Sequence, residues 1–362
     1  MSSKSKVEYA SSLAVNAYLK QSRSKHIIIF CLFVLMLLLA VAAICIGAAN
    51  VSPLEALSAL LGLESGIAHL VVWNLRLPRV LAGIVAGAGL SIAGCVMQTC
   101  LRNPLAAPST LGITNAAAFG ANIAIVFFGA GTMRSSAANA IIIGNPYIVT
   151  IMAFIFAMVA MGMILLLARM RRFSPESVVL AGVAFGSLFS AGTALIQYFA
   201  EDAQIISMVF WTFGDLGRVT WRELGILTLL VSVCIIYFMT KRWDYNSLDS
   251  GEDTARSLGV NVERTRMIAM FAASLITAVA VAFMGIIGFI GLIGPQIMRR
   301  IIGRDHRFLI PASVISGAVL LLVSDTIART MISPIVLPVG AITSFFGAPL
   351  FLFILMRGDS RR

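Results

Sequence analysis

Apolar runs of about 20 residues recur along almost the whole chain, and few of them contain a charged side chain. A helix of that length crosses the hydrocarbon core of a bilayer, so each run is a candidate membrane span. Hydrophobic residues make up 59% of the 362 residues and charged residues only 12%, about half of what a soluble protein carries. The sequence therefore predicts an all-α, polytopic membrane protein. We place ten spans, at 27–48, 79–98, 110–129, 147–169, 177–198, 223–240, 267–284, 289–302, 309–328 and 343–357.

Lysine and arginine residues are distributed unevenly between the two sides that these spans define. The side with both termini collects 21 of them, and the other side has six, which are Arg76, Arg79, Arg134, Arg218, Arg222 and Arg329. Because basic residues concentrate in cytoplasmic loops, residues 1–26 and the tail at 358–362 are predicted to be cytoplasmic. The same rule accounts for the net charge of +11, so no nucleic-acid partner is expected.

The polar segment (residues 245–264) lies between two predicted spans and contains signals for short helices. Ser250-Gly251-Glu252-Asp253 has the pattern of a capping box, and Gly259 can end the helix that it opens. Asn261 can cap a further helix that runs into the next span. A second capping box at Ser52-Pro53-Leu54-Glu55 predicts a short helix on the opposite side. Since a plain connector needs no such organisation, we interpret the polar segment as a docking surface.

Glycine residues are concentrated in two of the predicted spans. Gly83, Gly87 and Ser91 form a ridge of small residues that allows close helix packing, although such a ridge can also line a pathway. Gly285, Gly288, Gly291 and Gly294 recur every third residue and end at Pro295, a spacing that marks no single helix face. Because each glycine also weakens a helix, we predict a broken or re-entrant turn that lines a pathway.

Several kinds of chemistry have no support in the sequence. There is no P-loop motif for ATP, no metal-ligand spacing among the five cysteines, and no pair of histidines on one helix. Asp325 is the main charge inside a span, and Arg329 follows four residues later on the same helix face. We therefore predict a structural ion pair between them, and a chain that binds no cofactor or metal and is not an enzyme.

Three blocks of sequence resemble the FecCD-type permeases of type II ATP-binding-cassette (ABC) importers, over nearly the whole chain from about residue 50. The first block is Leu75-Arg76-Leu77-Pro78-Arg79, followed by Arg102-Asn103-Pro104-Leu105-Ala106 and Leu111-Gly112-Ile113. The second is Gly251-Glu252-Asp253-Thr254-Ala255-Arg256-Ser257-Leu258-Gly259-Val260. The third is Gly288-Phe289-Ile290-Gly291-Leu292-Ile293-Gly294-Pro295, then Asp305-His306-Arg307, Leu337-Pro338-Val339-Gly340 and Phe346-Gly347-Ala348-Pro349. Gln296 departs from the histidine that is usual in the family, which puts a proton role at this position in doubt.

The resemblance implies a ten-helix subunit of a prokaryotic cytoplasmic (inner) membrane that pairs with a second permease copy or a paralogue. Two cytosolic ATPase subunits, which hold the ATP and Mg²⁺, would dock on one side, and an extracytoplasmic solute-binding protein on the other. Arg76, Arg79 and Arg329 would pair with acidic residues of the binding protein, with lipid-headgroup anchoring as the alternative for Arg76 and Arg79. The pathway and gating residues would be Gly83, Gly87, Gly285, Gly288, Gly291, Gly294, Pro295 and Gln296. Coupling to the ATPase would fall to Ser250, Gly251, Glu252, Asp253, Ala255, Arg256, Leu258, Gly259 and Val260, whose small members would face the ATPase.

The implied function is translocation of a bulky metal chelate by alternating access. A ferric siderophore is the first expectation for the substrate, followed by cobalamin or another corrinoid, and then by haem or molybdate. A channel without an ATPase is a rival of another class, although it needs no docking segment. A secondary transporter is a second rival, but the sequence has one glycine-rich break and no matching second copy.

Overall fold

The structure is a computed structural model, and it describes residues 3–47, 51–63, 66–130, 145–170, 174–332 and 335–356. Helices dominate this described part, whose one β-type contact is an isolated bridge between Ile332 and Ile335. The fifteen α-helices are α1 (Ser3–Cys45), α2 (Pro53–Leu60), α3 (Ile67–Val71), α4 (Leu77–Cys100), α5 (Ile113–Phe127), α6 (Pro146–Met170), α7 (Pro175–Phe199), α8 (Asp202–Thr212), α9 (Trp221–Thr240), α10 (Arg242–Asp249), α11 (Glu252–Ser257), α12 (Val262–Met284), α13 (Ile290–Ile302), α14 (His306–Thr330) and α15 (Val339–Met356).

Each of the ten predicted spans corresponds to a helix in the described ranges, so the all-α prediction is confirmed. Among the described residues, seven stretches are long and apolar enough to cross a membrane: residues 19–45 of α1, the run 67–100 that includes α3 and α4, and α6, α7, α9, α12 and α14. α5 and α15 are shorter apolar helices, and α13 has only 13 residues. The helices α3 and α8 and the extension of α1 to Ser3 were not predicted.

α4 lies at the centre of the bundle, where α14, α12, α13 and α9 pack around it. Almost all its residues from Ala86 to Cys100 are buried. Its glycines explain this central position, because a Cβ atom on Gly94 would lie 1.8 Å from the carbonyl oxygen of Gly291 in α13. A Cβ atom on Gly87 would likewise lie 2.4 Å from the carbonyl oxygen of Gly317 in α14. Small residues thus let the helix backbones approach one another within an apolar solvent.

A widened π-helical turn, Val72–Arg76, precedes α4 and joins it to α3. Pro78 follows at the start of α4; it has no N–H to donate, and its ring would clash with the carbonyl of the preceding turn of a regular helix. The wider turn relieves that clash, since the N–H of Leu77 bonds to the carbonyl of Val72, five residues back. Arg76 is the last residue of this turn and Arg79 lies in the first turn of α4, and both belong to the candidate site below.

Within the described ranges, residues that the charge count assigned to one side of the membrane lie together at one end of the bundle. Lys25 and His26 lie against the ring of Phe308, and Arg266 donates to the carbonyl of Cys100. We call this the basic end. At the opposite end, Arg329 bonds to the carbonyl of Ile46, and Arg79 bonds to Asp325. These contacts agree with the predicted grouping of the described loops, and the orientation of the termini stays a prediction.

Candidate functional site

The polar segment forms two short helices at the basic end, joined by a tight turn. α10 ends at Asp249, and the hydroxyl of Ser250 donates to the carbonyl of Asn246 at 3.2 Å. α11 starts after Gly251, which has a φ of +126° and makes no side-chain cap. The predicted capping box at Ser250 is therefore wrong, because this serine follows the last turn of α10 and does not open α11.

The other end of α11 has the predicted glycine cap. Gly259 has a φ of +83°, its N–H bonds to the carbonyl of Arg256, and the N–H of Val260 bonds to the carbonyl of Ala255, both at 3.0 Å. These paired bonds form a Schellman motif, which ends a helix at a defined residue. Asn261 then accepts a hydrogen bond from the N–H of Arg264 at 3.0 Å and caps α12. The chain between α11 and α12 consequently has a fixed course.

Glu252 attaches α11 to the bundle. Its carboxylate lies 2.9 Å from Arg256, one helical turn away, and 3.1 Å from the buried Arg266 of α12. Arg266 in turn donates to the carbonyl of Cys100 at the end of α4 (2.9 Å). Burial acts to raise the pKa of Glu252, but hydrogen bonds and charge from the two arginines outweigh it and lower the pKa. Glu252 is therefore ionised at neutral pH and links three helices.

The face of α11 that points away from the bundle includes Asp253, Arg256 and Leu258, all exposed. Leu258 has 66% of its surface exposed, and a cavity of about 540 Å³ lies beside it. Ala255, in contrast, is fully buried and packs into the main core, so the expectation that this small residue faces a partner is wrong. An exposed leucine on a polar, well-fixed turn is suited to insertion into a partner surface.

Asp325 of α14 lies at the opposite end and binds two arginines. Its carboxylate is 2.9 Å from Arg329 of the same helix and 2.9 Å from Arg79 of α4, and its side chain is only 1% exposed. Arg79 also reaches Asp215 at 3.1 Å, and that carboxylate is 42% exposed. The two carboxylates balance the charges of the two arginines. We call these residues, together with Arg76, the arginine cluster.

Arg76 and Arg329 both bond to the last carbonyl groups of α1. Arg76 donates to Ile44 (2.9 Å) and Cys45 (3.2 Å), and Arg329 donates to Ala43 (3.1 Å) and Ile46 (3.0 Å). A helix leaves its final carbonyls without partners inside the helix, and positive charge is favourable there. Both arginines are 5% exposed, so the expectation that they present free charges on the protein surface is wrong.

The predicted break in the glycine-rich stretch lies at residues 285–289, between α12 and α13. Gly285 has a φ of +78°, and a Cβ atom there would lie 2.5 Å from the carbonyl oxygen of Trp211. Phe289 has a left-handed φ of +64°, which is uncommon for a residue with a side chain. Gly288 faces the hydroxyl of Ser344 in α15. The break therefore packs against both the end of α8 and the last helix.

Gly291, Gly294 and Pro295 lie within α13, beyond the break. A Cβ atom on Gly291 would lie 2.8 Å from the carbonyl oxygen of Leu90, and one on Gly294 would lie 2.4 Å from the hydroxyl oxygen of Ser91. These contacts favour helix packing as the role of the two glycines. Gly83 and Gly87 are likewise buried against neighbours. The pathway roles of these four glycines and of Gly285, Gly288, Pro295 and Gln296 stay predictions.

Gln296 belongs to a chain of amides at the end of α4. It donates to Gln98 at 3.0 Å and to the carbonyl of Pro104 at 3.2 Å, and Gln98 donates to the carbonyl of Gly291 at 3.2 Å. Gln98, Arg266 and Asp215 were not singled out from the sequence. A buried position for the first two could have been inferred only from their place inside or beside apolar runs.

Comparisons with known proteins agree on one group of transporters. A sequence profile described as the FecCD transport family matches residues 34–357. A candidate ABC transporter permease protein of Methanocaldococcus jannaschii is 53% identical and covers 94% of this chain and 97% of the relative. The hemin transport system permease protein of Yersinia pestis is 35% identical (90% and 94% covered), and a vitamin B12 import system permease protein of Escherichia coli is 35% identical (93% and 97% covered). A solved structure of a candidate metal-chelate type ABC transporter, in an inward-facing conformation, matches with a TM-score of 0.77 and 29% identity, over 92% of this chain and 99% of that chain.

Proposed function

The chain belongs to the FecCD transport family of ABC permeases, and we propose from this that it translocates a bulky metal chelate by alternating access, driven by separate ATPase subunits. The observation that carries the proposal is the exposed tip of the polar segment at the basic end of the bundle, where Leu258 stands on a capped and anchored turn. A passive channel has no need of such a surface.

The mechanism requires the polar segment to move with the ATPase. Closure of the ATPase subunits on ATP would displace the tip around Leu258, and Glu252 would pass that force to Arg266 in α12. Packed helices shift as rigid bodies between discrete arrangements, so tilting would open the pathway to one face at a time. The chain supplies contacts that differ between the two states and carries out no bond chemistry.

A ferric siderophore is the substrate that we propose first. The relatives are named for hemin and vitamin B12, which are both bulky metal chelates with different peripheral groups. A permease family that carries such different chelates is expected to leave most of the selectivity to its solute-binding proteins. The proposed assembly accordingly contains two permease subunits, two ATPase subunits and one solute-binding protein in a prokaryotic cytoplasmic membrane, with both termini of this chain in the cytoplasm.

Docking of the binding protein on Arg76, Arg79 and Arg329 also stays a proposal, and the geometry adds a condition to it. Arg79 is covered by Asp215, which is the more exposed partner of that pair. An acidic side chain of a binding protein would have to displace Asp215 to reach the guanidinium group. Binding and a rearrangement of the arginine cluster would then be linked.

Replacing Leu258 with Asp tests the proposed ATPase interface. We expect the variant to fold and insert, because this side chain is exposed. At least tenfold less ATPase subunit should copurify with the variant, as expected when a central apolar anchor of an interface is lost. Gel filtration and the stoichiometry of the purified complex would measure this. Leu63→Asp is the matched control, since Leu63 is 78% exposed and follows α2 near the opposite end. Equal ATPase recovery with both variants would remove Leu258 from the interface.

A further inference from the structure

Asn246 of α10 fastens the polar segment to the first residues of α14. Its Oδ1 accepts a hydrogen bond from the backbone N–H of His306 at 2.8 Å and lies 2.9 Å from Nδ1 of the same residue. Its Nδ2 donates to Oδ1 of Asp305, the N-cap of α14, at 3.1 Å. The oxygen and the NH₂ group of this one amide therefore both bond to residues at the N-terminus of α14.

The orientation of this amide is fixed by Asp305. Burial acts to raise the pKa of Asp305, but hydrogen bonds from Arg307 and Asn246 outweigh it and lower the pKa to about 2. A carboxylate only accepts hydrogen bonds, so Asn246 turns its NH₂ group toward Asp305 and its oxygen toward His306. The ring of His306 then directs a proton on Nδ1 at this oxygen.

His306 continues this contact into the interior of the bundle. Its ring is fully buried, and Nε2 lies 2.9 Å from the hydroxyl of Thr99 in α4. Arg299 of α13 donates to the same hydroxyl at 3.0 Å and to the carbonyl of Cys95 at 3.3 Å. The helices α10, α14, α4 and α13 thus meet at one hydrogen-bonded point directly behind the polar segment.

α14 connects this point with the arginine cluster. The helix has 25 residues and is therefore about 37 Å long. Near its far end Asp325 binds Arg79 of α4, so α14 is tied to α4 at both ends. The polar segment is also attached through Glu252, whose side chain is 35% exposed and binds Arg266 of α12. Asn246 makes the hydrogen bonds that join the polar segment to α14, and the ring of Tyr245 also packs against that of His306, with 5.8 Å between the ring centroids.

We propose that Asn246 is a positioning residue that passes movement of the polar segment to α14, and thereby to the far end of the bundle. The inference rests on the proposed function. Without the amide, α10 and the start of α14 would be joined by the ring contacts of Tyr245 and Trp243, which lack the directional hydrogen bonds of the amide. α10 could then slide while the N-terminus of α14 stayed in place. ATP would then be hydrolysed without a matching displacement of the spans, so uptake and hydrolysis would separate.

An exchange of the two side chains tests the contact. Asn246→Asp brings a second carboxylate to within about 3 Å of Asp305 and breaks the link, although its oxygens still accept from His306. Asp305→Asn keeps a capping oxygen for Arg307. The double variant, Asn246→Asp with Asp305→Asn, restores one donor and one acceptor across the same gap. Asn145→Asp is the matched control, since Asn145 is exposed at the start of α6, outside the polar segment.

The measurement is uptake per ATP hydrolysed by the purified complex of this chain with its ATPase in proteoliposomes, in the presence of the cognate solute-binding protein. The substrate is whichever of hemin, ferric citrate or cyanocobalamin the wild-type complex carries. For Asn246→Asp we expect the ratio of uptake to ATP hydrolysis to fall about tenfold, while the amount of copurified ATPase stays unchanged. The double variant should regain at least fivefold in this ratio, and Asn145→Asp should keep the wild-type ratio. A wild-type ratio in Asn246→Asp overturns the inference, as does a double variant that stays defective. Loss of ATPase recovery that the exchange repairs also overturns it, because it shows a structural role only. Absence of ATP-dependent uptake in the wild-type complex would instead refute the proposed function.

Discussion

Asp325→Ala is expected to destabilise the isolated subunit by about 3–5 kcal/mol, because it leaves the buried guanidinium groups of Arg79 and Arg329 without their shared carboxylate. Both arginines would then repel each other in a site from which water is largely excluded. The midpoint of thermal unfolding of the detergent-purified chain, followed by intrinsic fluorescence, measures the effect. We expect a much lower midpoint or a failure to purify in monodisperse form.

Asp215→Asn is the control for this prediction. Asp215 binds Arg79 at 3.1 Å, a distance similar to that between Arg79 and Asp325, but the side chain of Asp215 is 42% exposed. A pair that is open to water contributes at most about 1 kcal/mol, so the unfolding midpoint should barely move. If Asp325→Ala is as stable as Asp215→Asn, Asp325 is not the central charge of the arginine cluster.

Gly94→Leu is expected to prevent assembly of the bundle. Even the first carbon of a side chain would lie 1.8 Å from the carbonyl oxygen of Gly291, and a backbone oxygen cannot rotate away as a side chain can. Forcing α4 and α13 apart would disturb the centre of the core and should cost more than about 3 kcal/mol. The yield of monodisperse protein after extraction, together with its unfolding midpoint, reports the loss.

The same substitution at Gly162 is the matched control. Gly162 lies in α6, is exposed, and has no neighbouring atom within 4 Å of an added Cβ. Leucine is also the better helix former, so Gly162→Leu should be neutral or slightly stabilising. Comparable losses in the two variants would show that close approach of α4 and α13 is not the reason for the glycine at position 94.

The spans could be predicted because apolar length is a local property of the chain. Ser52 illustrates the same point for a cap, since its hydroxyl and the carboxylate of Glu55 make both bonds of the predicted capping box. The helix end at Gly259 could also be predicted, because a glycine that can take a positive φ is followed two residues later by Asn261, a residue that favours the start of a new helix.

The failures have two causes, which are a misplaced helix boundary and partners that are distant in sequence. Ser250 carries a capping pattern, but Gly251 takes the positive φ that separates α10 from α11, so the serine belongs to the preceding helix. Arg79 was counted as a loop charge, yet it binds Asp325, which is distant in sequence. The ion pair of Asp325 with Arg329 was predicted and is present, but the contact of Arg329 with the end of α1 was not predicted. A charge count identifies the side of the membrane on which a residue lies and does not show whether that residue is exposed.

The glycine-rich stretch was predicted in part. The break at residues 285–289 follows from the poor helix propensity of its glycines, and Gly285 has a positive φ there. The helix nevertheless resumes at Ile290, since close contact with α4 requires glycine at positions 291 and 294 inside α13. The repeat contains glycines that break the helix and glycines that allow close helix packing, and their spacing alone does not distinguish the two roles.

The most direct test of the proposed function is uptake by proteoliposomes that contain the chain together with its copurified ATPase subunit and, in a second preparation, the chain alone. Hemin, ferric citrate and cyanocobalamin would be offered in the presence of the cognate binding protein, with ion gradients collapsed. We predict uptake of one chelate class only when the ATPase is present and supplied with ATP. Equal uptake by the chain alone, or uptake that follows an imposed ion gradient without ATP, would contradict the assignment as an ATP-driven permease.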